Sequence, residues 1–390
     1  MFTSLRRATA LATLLAAAVG AGARAEEESA IRFEAAYTAD LLSNLHGGVE
    51  TGTRYLDDLE LGLELEGERA FGWKGATFFI SGLYNNGKGF AEDLVGAGLE
   101  VSNIEADVRA ARLFEAWAEQ RFLDDRASIL VGLYELSSEF DAVETAELFL
   151  NGAFEMSTTF LESGLNGPSV FPYTALTLRA AARLTDSVTL RAAVLDGVPG
   201  DPDHPKRTAV KLRDGDGALL VGEAEYAGDG FRAAVGYWRY TARFEEIGAG
   251  IDSRGNDGLY ALAEAEVYAD PDDPRRGLAL FARAGWASAR FNEFRHSFAL
   301  GGVYTGALPA RPEDKLGLAV GMAEASGPLR RLEALKRREI AIELTYRAEI
   351  TEYLAIQPDL QYVINPGLVP GRDDAFVAGL RLELSWGAGL

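Results

Sequence analysis

Residues 340–351 read IAIELTYRAEIT, and every even-numbered position in this stretch is Ile, Leu, Tyr or Ala. The odd-numbered positions include Glu343, Thr345, Arg347 and Glu349. Because successive side chains of a β-strand point to opposite faces, this alternation predicts a strand with one apolar and one polar face. The stretch is longer than a typical strand of a soluble protein and long enough to cross a bilayer at a tilt.

The same period of two recurs along the chain in about sixteen segments. A soluble β-sandwich would also alternate, but its strands are shorter. The predicted strands span approximately residues 31–39, 56–66, 75–85, 110–122, 128–137, 175–184, 187–196, 217–227, 230–243, 258–269, 277–290, 295–306, 314–324, 338–351, 353–365 and 374–386.

The predicted links between strands alternate in length. Long links are expected at residues 40–55, 86–109, 138–174, 197–216 and 244–257, and short ones at 67–74, 123–127, 185–186, 228–229 and 270–276. An even strand number with long external and short internal links is typical of outer-membrane barrels. The sequence therefore predicts an all-β, transmembrane antiparallel barrel of about sixteen strands, with long extracellular loops and short periplasmic turns. Residues 291–294 break the pattern, and Leu329–Glu339 is expected to be helical in the seventh external loop.

The first 25 residues have the pattern of a secretory signal peptide. Arg6 and Arg7 precede an apolar stretch rich in Ala and Leu, and residues 23–25 (ARA) form a small-x-small cleavage site. We therefore expect residues 1–25 to be removed on export. Residues 26–390 would then form one barrel domain in the outer membrane of a Gram-negative bacterium.

Composition excludes several classes of protein. The chain has 390 residues, no Cys, three His and a formal net charge of −21, which argues against nucleic-acid binding and against thiolate metal sites. His46, His204 and His296 stand in no sequence motif of an enzyme, so no enzymatic activity and no cofactor or metal are expected. The acidic stretches 201–203 and 270–273 lack the spacing of a known calcium loop and are interpreted as turns.

If the apolar face of each predicted strand contacts lipid, the opposite face lines the pore. That face carries charges of both signs. The longest link, residues 138–174, is expected to fold inward and narrow the channel. Its acidic residues should then lie opposite the arginines of strands six and seven. The alternative is that this loop lies as a cap over the mouth of the barrel. The predicted pore-lining and substrate-contacting residues are Glu115, Trp117, Glu119, Asp141, Glu144, Glu147, Arg179, Arg183, Arg191, Arg283 and Arg347.

Several short motifs, in order along the chain, resemble those of the carbohydrate-selective outer-membrane porins, the OprB-like family. They are SNLHGG (43–48), GWKG (72–75), VSNIEA (101–106), LFEAWAEQRF (113–122), LFLNGAF (148–154), QPDLQYVINPG (357–367) and GLRLEL (379–384). The resemblance covers nearly the whole chain after the signal peptide. It implies a sixteen-stranded barrel that passes monosaccharides and similar small solutes by passive diffusion.

The expected partners are small sugars, outer-membrane lipid including lipopolysaccharide, and the barrel-assembly machinery. No nucleic acid is expected, and whether copies of the chain form a homo-oligomer is left open. Two other functions remain at this stage. One is a general or cation-preferring porin for small solutes, and the other is an outer-membrane barrel enzyme resembling a lipase.

Overall fold

The computed structural model describes residues 29–87, 89–273 and 275–389, so the predicted signal peptide lies outside the described residues. Within these ranges, sixteen antiparallel strands close into one barrel. They are β1 (Ile31–His46), β2 (Gly52–Glu66), β3 (Ala76–Asn85), β4 (Ala110–Phe122), β5 (Ala127–Tyr134), β6 (Ala175–Arg183), β7 (Val188–Asp196), β8 (Ala218–Gly228), β9 (Phe231–Tyr240), β12 (Asp257–Ala269), β13 (Gly277–Ala287), β14 (Phe294–Thr305), β15 (Lys315–Ala325), β16 (Arg338–Thr351), β17 (Leu354–Ile364) and β18 (Ala375–Gly389). Two short strands, β10 (Phe244–Glu245) and β11 (Asp252–Ser253), pair only with each other.

Closure of the barrel comes from the first and last strands. β1 pairs with β2 on one side and with β18 on the other, in register from Arg32 opposite Gly389 to Asn44 opposite Val377, with a shift before His46. A closed sheet leaves no strand edge for lipid to contact, which is what a spanning β-structure requires. The predicted fold class is confirmed.

The side chains of residues 340–351 alternate between the outside and the inside of the barrel, as their sequence predicts. Leu344 is 44% exposed on the outside, whereas its neighbour Glu343 is fully buried inside the barrel. On β18, Leu380 is likewise exposed and Arg381 is buried inside. The outward parity is therefore the apolar one, as a lipid-facing surface demands.

The links between strands differ in length at the two ends of the barrel. At one end they are short, for example residues 184–187, 229–230 and 352–353; at the other end lie loop 2 (residues 86–109), loop 3 (residues 135–174) and loop 4 (residues 197–217). The long first link expected at residues 40–55 is wrong, because β1 and β2 continue until only residues 47–51 remain between them. Alternation fails there because Leu42, an inward-facing residue, is apolar and packs against loop 2.

Helices are few and short among the described residues: α1 (Gly67–Phe71), α2 (Thr158–Leu161) and α3 (Gly327–Glu333). α3 lies in loop 7 (residues 326–337), where a helix was predicted over residues 329–339. It starts two residues earlier, at Gly327 directly after the Ser326 cap, and ends at Glu333, before β16 begins at Arg338. None of the helices in the described part of the chain is long and apolar enough to span a membrane.

Apolar packing occurs inside the barrel, between the wall and the loops that enter it. Loop 3 contributes Phe140, Phe149, Phe154 and Phe160 to a cluster with Trp238, Tyr260 and Phe281 of the wall. The wall is built of small residues where the loop approaches it: a Cβ added to Gly317 would lie 2.7 Å from Leu148 of loop 3. The expected inward fold of the longest loop is confirmed, and the cap is excluded.

Candidate functional site

Loop 3 is fixed to the wall at β13 by a buried ion pair. The Nε of Arg283 lies 3.1 Å from Asp141 Oδ1, and the same guanidinium donates to the backbone oxygens of Asp141 (2.6 Å) and Phe154 (2.9 Å). The backbone N–H of Asp141 donates to Glu223 (3.0 Å), which also accepts from the Tyr260 hydroxyl (2.7 Å). These charge-assisted hydrogen bonds hold the loop where it turns into the lumen.

The far side of loop 3 is held by the wall at β16 and β17. Glu343 accepts hydrogen bonds from the backbone N–H groups of Leu150 (2.7 Å) and Asn151 (2.9 Å). The amide of Gln357 donates to the backbone oxygen of Leu148 at 2.7 Å. Loop 3 therefore crosses the lumen from β5 to the opposite wall.

Loop 2 occupies the lumen beside β18 and β1. Arg381 makes a bidentate pair with Asp40, with both distances 2.8 Å, and donates to the side chain of Asn103 in loop 2 (2.7 Å). Glu339 accepts from the backbone N–H groups of Gly98 (3.0 Å) and Leu99 (2.8 Å). Both loops are thus bonded to inward-facing charges of the wall, and together they narrow the channel.

A group of carboxylates lies inside the barrel where loop 3 leaves β5. Glu115 accepts from the backbone N–H of Glu135 (2.9 Å), and the Glu135 carboxylate accepts from the backbone N–H of Phe171 (3.2 Å). Burial first, and then the like charges of Glu115, Glu155 and Glu60, together raise the pKa of Glu135 to about 8. Burial likewise raises the pKa of Glu155 to about 7. We call Glu60, Glu115, Glu135 and Glu155 the acidic band. Its members come from β2, β4 and loop 3, so the band lies where loop 3 meets the β2–β4 side of the wall.

Arg112 faces inward on β4 and was not predicted to do so. Its guanidinium donates to the backbone oxygens of Pro172 (2.8 Å) and Pro205 (3.2 Å) and stands 4.7 Å from the ring centre of Tyr173. The inward parity of β4 switches at an irregularity in its pairing with β3, between the pairs Ile80–Ala116 and Gly82–Leu113. A strict alternation that ignores such a bulge places Arg112 on the lipid-facing side of β4. For this reason Arg112 was not among the predicted pore-lining residues.

Trp117 provides an aromatic surface in the same region. It faces inward on β4, between Glu115 and Glu119, and its ring stacks on Phe79 with centroids 5.3 Å apart. Side chains of this type expose a flat apolar face beside polar groups. Three residues predicted to line the pore thus share the inward face of β4: Glu115, Trp117 and Glu119.

The predicted opposition of loop 3 acids and arginines of strands six and seven needs correction. Arg179 pairs with Glu119 of β4 (3.0 Å) and with Glu139, a loop 3 residue that was not predicted (2.8 Å). Arg191 pairs with Glu223 and Glu225 of β8, at 3.1 Å each. The alternation of apolar and polar residues predicts which face of a strand each side chain lies on. It does not predict which residue of a loop or a neighbouring strand that side chain pairs with.

The side chains of Asp141 and Arg283 do not line the channel. Asp141 is fully buried and Arg283 is only 3% exposed, because the body of loop 3 covers both. Their predicted role as pore-lining residues is therefore wrong, and their contacts show that they anchor the loop instead.

A cavity of about 510 Å³ lies between loop 3 and the short-turn end of the barrel. Glu144 and Glu147 of loop 3 line it from one side, and Lys315, Arg347 and Glu383 line it from the wall. Arg347 pairs with Glu383 at 2.7 Å. Glu144, Glu147 and Arg347 are thus gathered at a vestibule below the constriction. Arg183 is exposed at the same short-turn end.

Comparison with known proteins agrees with this architecture. Residues 50–386 match the family model described as "Carbohydrate-selective porin, OprB family". A similar curated protein is "Porin B" of Pseudomonas aeruginosa, which is 26% identical over an alignment that covers 91% of this chain and 87% of the relative.

Solved structures match the fold across the same extent. The structure titled "High pH structure of Pseudomonas putida OprB" has a TM-score of 0.84 at 23% identity and covers 92% of this chain and 94% of that chain. The outer-membrane channel DcaP of Acinetobacter baumannii has a TM-score of 0.57 at 11% identity, with 91% of this chain and 97% of that chain covered. The barrel architecture is therefore shared well beyond the level of recognisable sequence identity.

Proposed function

The chain belongs to the OprB family of carbohydrate-selective porins and is an outer-membrane porin, and we propose that its constriction passes small neutral sugars, chiefly monosaccharides, by passive diffusion. The observation that supports this most is the geometry of the lumen. Two loops, each bonded to inward-facing charges, narrow the lumen, and the acidic band and Trp117 lie beside loop 3 on the β2–β4 side of the wall.

The chemistry of this part of the lumen suits a sugar. Hydroxyl groups donate hydrogen bonds to carboxylates, so a sugar can exchange its bound water for the acidic band as it enters. The face of Trp117 offers an apolar surface for the C–H side of a pyranose ring. The same carboxylates repel anions, so neutral sugars should pass more readily than anionic solutes of equal size.

Liposome swelling tests the proposed size selectivity. Vesicles that contain the porin should swell several times faster in glucose than in maltose at equal osmolarity, with protein-free vesicles as the baseline. A general or cation-preferring small-solute porin, the main alternative, would admit both sugars at rates set by their diffusion alone. A difference between glucose and maltose no larger than that of their diffusion coefficients would therefore favour that alternative.

We further propose that the chain is not an enzyme. His204 lies 2.9 Å from Asp201, but the same carboxylate is held by Lys211 and by Arg213 (2.7 Å), as in an ion-pair cluster. His296 is 3.9 Å from Glu324, whose oxygens are shared with arginines. A lipase-like function is tested by incubating the folded porin with a chromogenic fatty-acyl ester, and turnover above the detergent blank would contradict the proposal.

The division of the chain into residues 1–25 as an export signal and residues 26–390 as the barrel unit is also a proposal. It is supported by the order of the basic, apolar and small-residue segments before Ala25. Export of such a chain implies folding by the barrel-assembly machinery. N-terminal sequencing of the protein from outer membranes should begin at Glu26, and retention of Met1 would contradict the assignment.

A further inference from the structure

The strand β16 is preceded by a run of basic residues that transport does not explain. Residues 329–338 read LRRLEALKRR, with five basic residues and one acidic residue in a chain whose formal net charge is −21. The run includes the end of α3 and reaches the first residue of β16. It lies at the end of the barrel that carries the long loops.

Three arginines in this region converge on a single carboxylate. Arg295, Arg337 and Arg338 approach Glu324 to 3.0, 3.2 and 3.0 Å. The Glu324 side chain is 5% exposed, whereas those of the three arginines are 38%, 55% and 47% exposed. One carboxylate cannot satisfy the fifteen or so N–H donors of three guanidinium groups, so positive charge and free donors remain at the surface. We call these three arginines the basic rim.

The basic rim lies directly above lipid-facing surface. On β14, Arg295 is followed by the exposed Phe298 and Leu300; on β15, Glu324 shares its outward parity with the exposed Leu318 and Val320. On β16, the exposed Leu344 follows Arg338 on the same face. At their extracellular ends β14 and β16 thus change from apolar to basic, with the Glu324 carboxylate of β15 between them. Here the hydrocarbon of the outer leaflet gives way to head groups.

We propose that the basic rim is a binding site for the phosphate groups of lipopolysaccharide, with the acyl chains of the same lipid on the outward face of β14–β16. Guanidinium groups bind phosphate oxygens in a bidentate manner, and Glu324 holds them in a fixed arrangement. Clusters of basic residues beside an apolar surface are a usual way to recognise anionic lipid head groups.

Two other parts of the same rim lack this excess of arginine. The outward-facing Tyr237 donates to Asp257 at 2.8 Å where β12 begins, and Asp257 lies opposite Arg239 of β9. Tyr362 donates to Asp374 at 3.3 Å just before β18. Three arginines on one carboxylate therefore make the β14–β16 side the more favourable place for phosphate.

The experiment titrates purified lipopolysaccharide into the full-length, detergent-solubilised porin and measures binding by native mass spectrometry. The test variant is R337Q/R338Q, which leaves Arg295 to neutralise Glu324, and a second variant, R295Q/E324Q/R337Q/R338Q, removes the whole cluster. The control R69Q/R275Q removes two exposed arginines at the short-turn end of the barrel. Heat-modifiable migration in gels confirms that each variant is folded.

We expect the affinity for lipopolysaccharide to fall at least tenfold in both rim variants and to stay unchanged in the control. Dephosphorylated lipopolysaccharide should bind the wild type at least tenfold more weakly, and millimolar inorganic phosphate alone should not bind. Unchanged affinity in the folded rim variants would overturn the proposal, as would an equal loss in the control. Tight binding of inorganic phosphate would overturn the assignment to a lipid, since the acyl chains would then contribute nothing.

Discussion

Adjacent residues in a strand of this barrel face different environments. Glu343 accepts two backbone hydrogen bonds from loop 3 inside the barrel, while Leu344 faces outward and Thr345 faces inward again. The face of each such residue follows from the sequence because the period of a strand is two. Which loop atoms a lumen residue binds does not follow, because the bonds of Glu343 join residues far apart in the chain.

The two faces should respond differently to substitution. Leu344→Arg should cost about 2–4 kcal/mol of barrel stability, because it places a charge against hydrocarbon near the middle of the membrane. Urea unfolding in lipid vesicles, followed by tryptophan fluorescence, measures this. Glu343→Gln is the matched control, because the carbonyl of the Gln side chain still accepts one hydrogen bond from loop 3 and the substitution changes no contact with lipid. Equal losses of stability for both variants would contradict the assignment of faces.

Arg283 should control the position of loop 3. Arg283→Met leaves Asp141 buried without its cation, a change that costs about 3–5 kcal/mol when a buried pair is broken. We expect the loop to detach locally, with a higher and noisier single-channel conductance in planar bilayers. Arg183→Met, at the exposed short-turn end, should leave the conductance unchanged. A quiet wild-type conductance in Arg283→Met would show that the ion pair does not hold the loop.

Strands and loops differ in how far the sequence predicts them. The strand segments follow from alternation, and errors occur where packing inside the barrel places apolar residues on the polar face, as at Leu42, or where a bulge switches parity, as at Arg112. The inward fold of loop 3 was predictable from its length and aromatic content. Its contacts were not, because four phenylalanines that could have lined the channel instead pack on small residues and on aromatic side chains of the wall.

Shortening loop 3 tests its role as an element. Deletion of residues 141–156 is geometrically feasible because Asp141 Oδ2 accepts from the backbone N–H of Ser157 at 2.8 Å, so the new ends lie close together. Single-channel conductance should rise and the difference between glucose and maltose in swelling assays should disappear. Deletion of residues 247–250, between β10 and β11, is the control and should change neither. If the loop 3 deletion leaves conductance and size cutoff intact, the constriction lies elsewhere.

At the scale of the whole molecule, the acidic balance of the chain and the acidic band both predict preference for cations. Reversal potentials in a salt gradient should show this preference, and it should weaken at high salt as the charges are screened. Some carboxylates of the band have raised pKa values, about 8 for Glu135 and about 7 for Glu155. Such groups lose protons as the pH rises, so cation preference should increase between pH 6 and pH 8.

Glu135→Gln is the control for this pH dependence. It removes the carboxyl with the higher pKa, so the change in reversal potential between pH 6 and pH 8 should become smaller while the barrel stays folded. Preference for anions in the wild type would mean that the lumen arginines outweigh the acidic band. A reversal potential that is independent of pH would mean that the band lies away from the path of the ions.

The most direct test of the acidic, loop-lined constriction is the swelling rate of porin vesicles in three sugars of equal size and different charge. Glucosamine, glucose and gluconate should enter at rates that decrease in this order, and added salt should reduce the differences. Replacement of Glu60, Glu115 and Glu135 by Gln should bring gluconate close to glucose. Gluconate that enters the wild type as fast as glucose would contradict an acidic constriction.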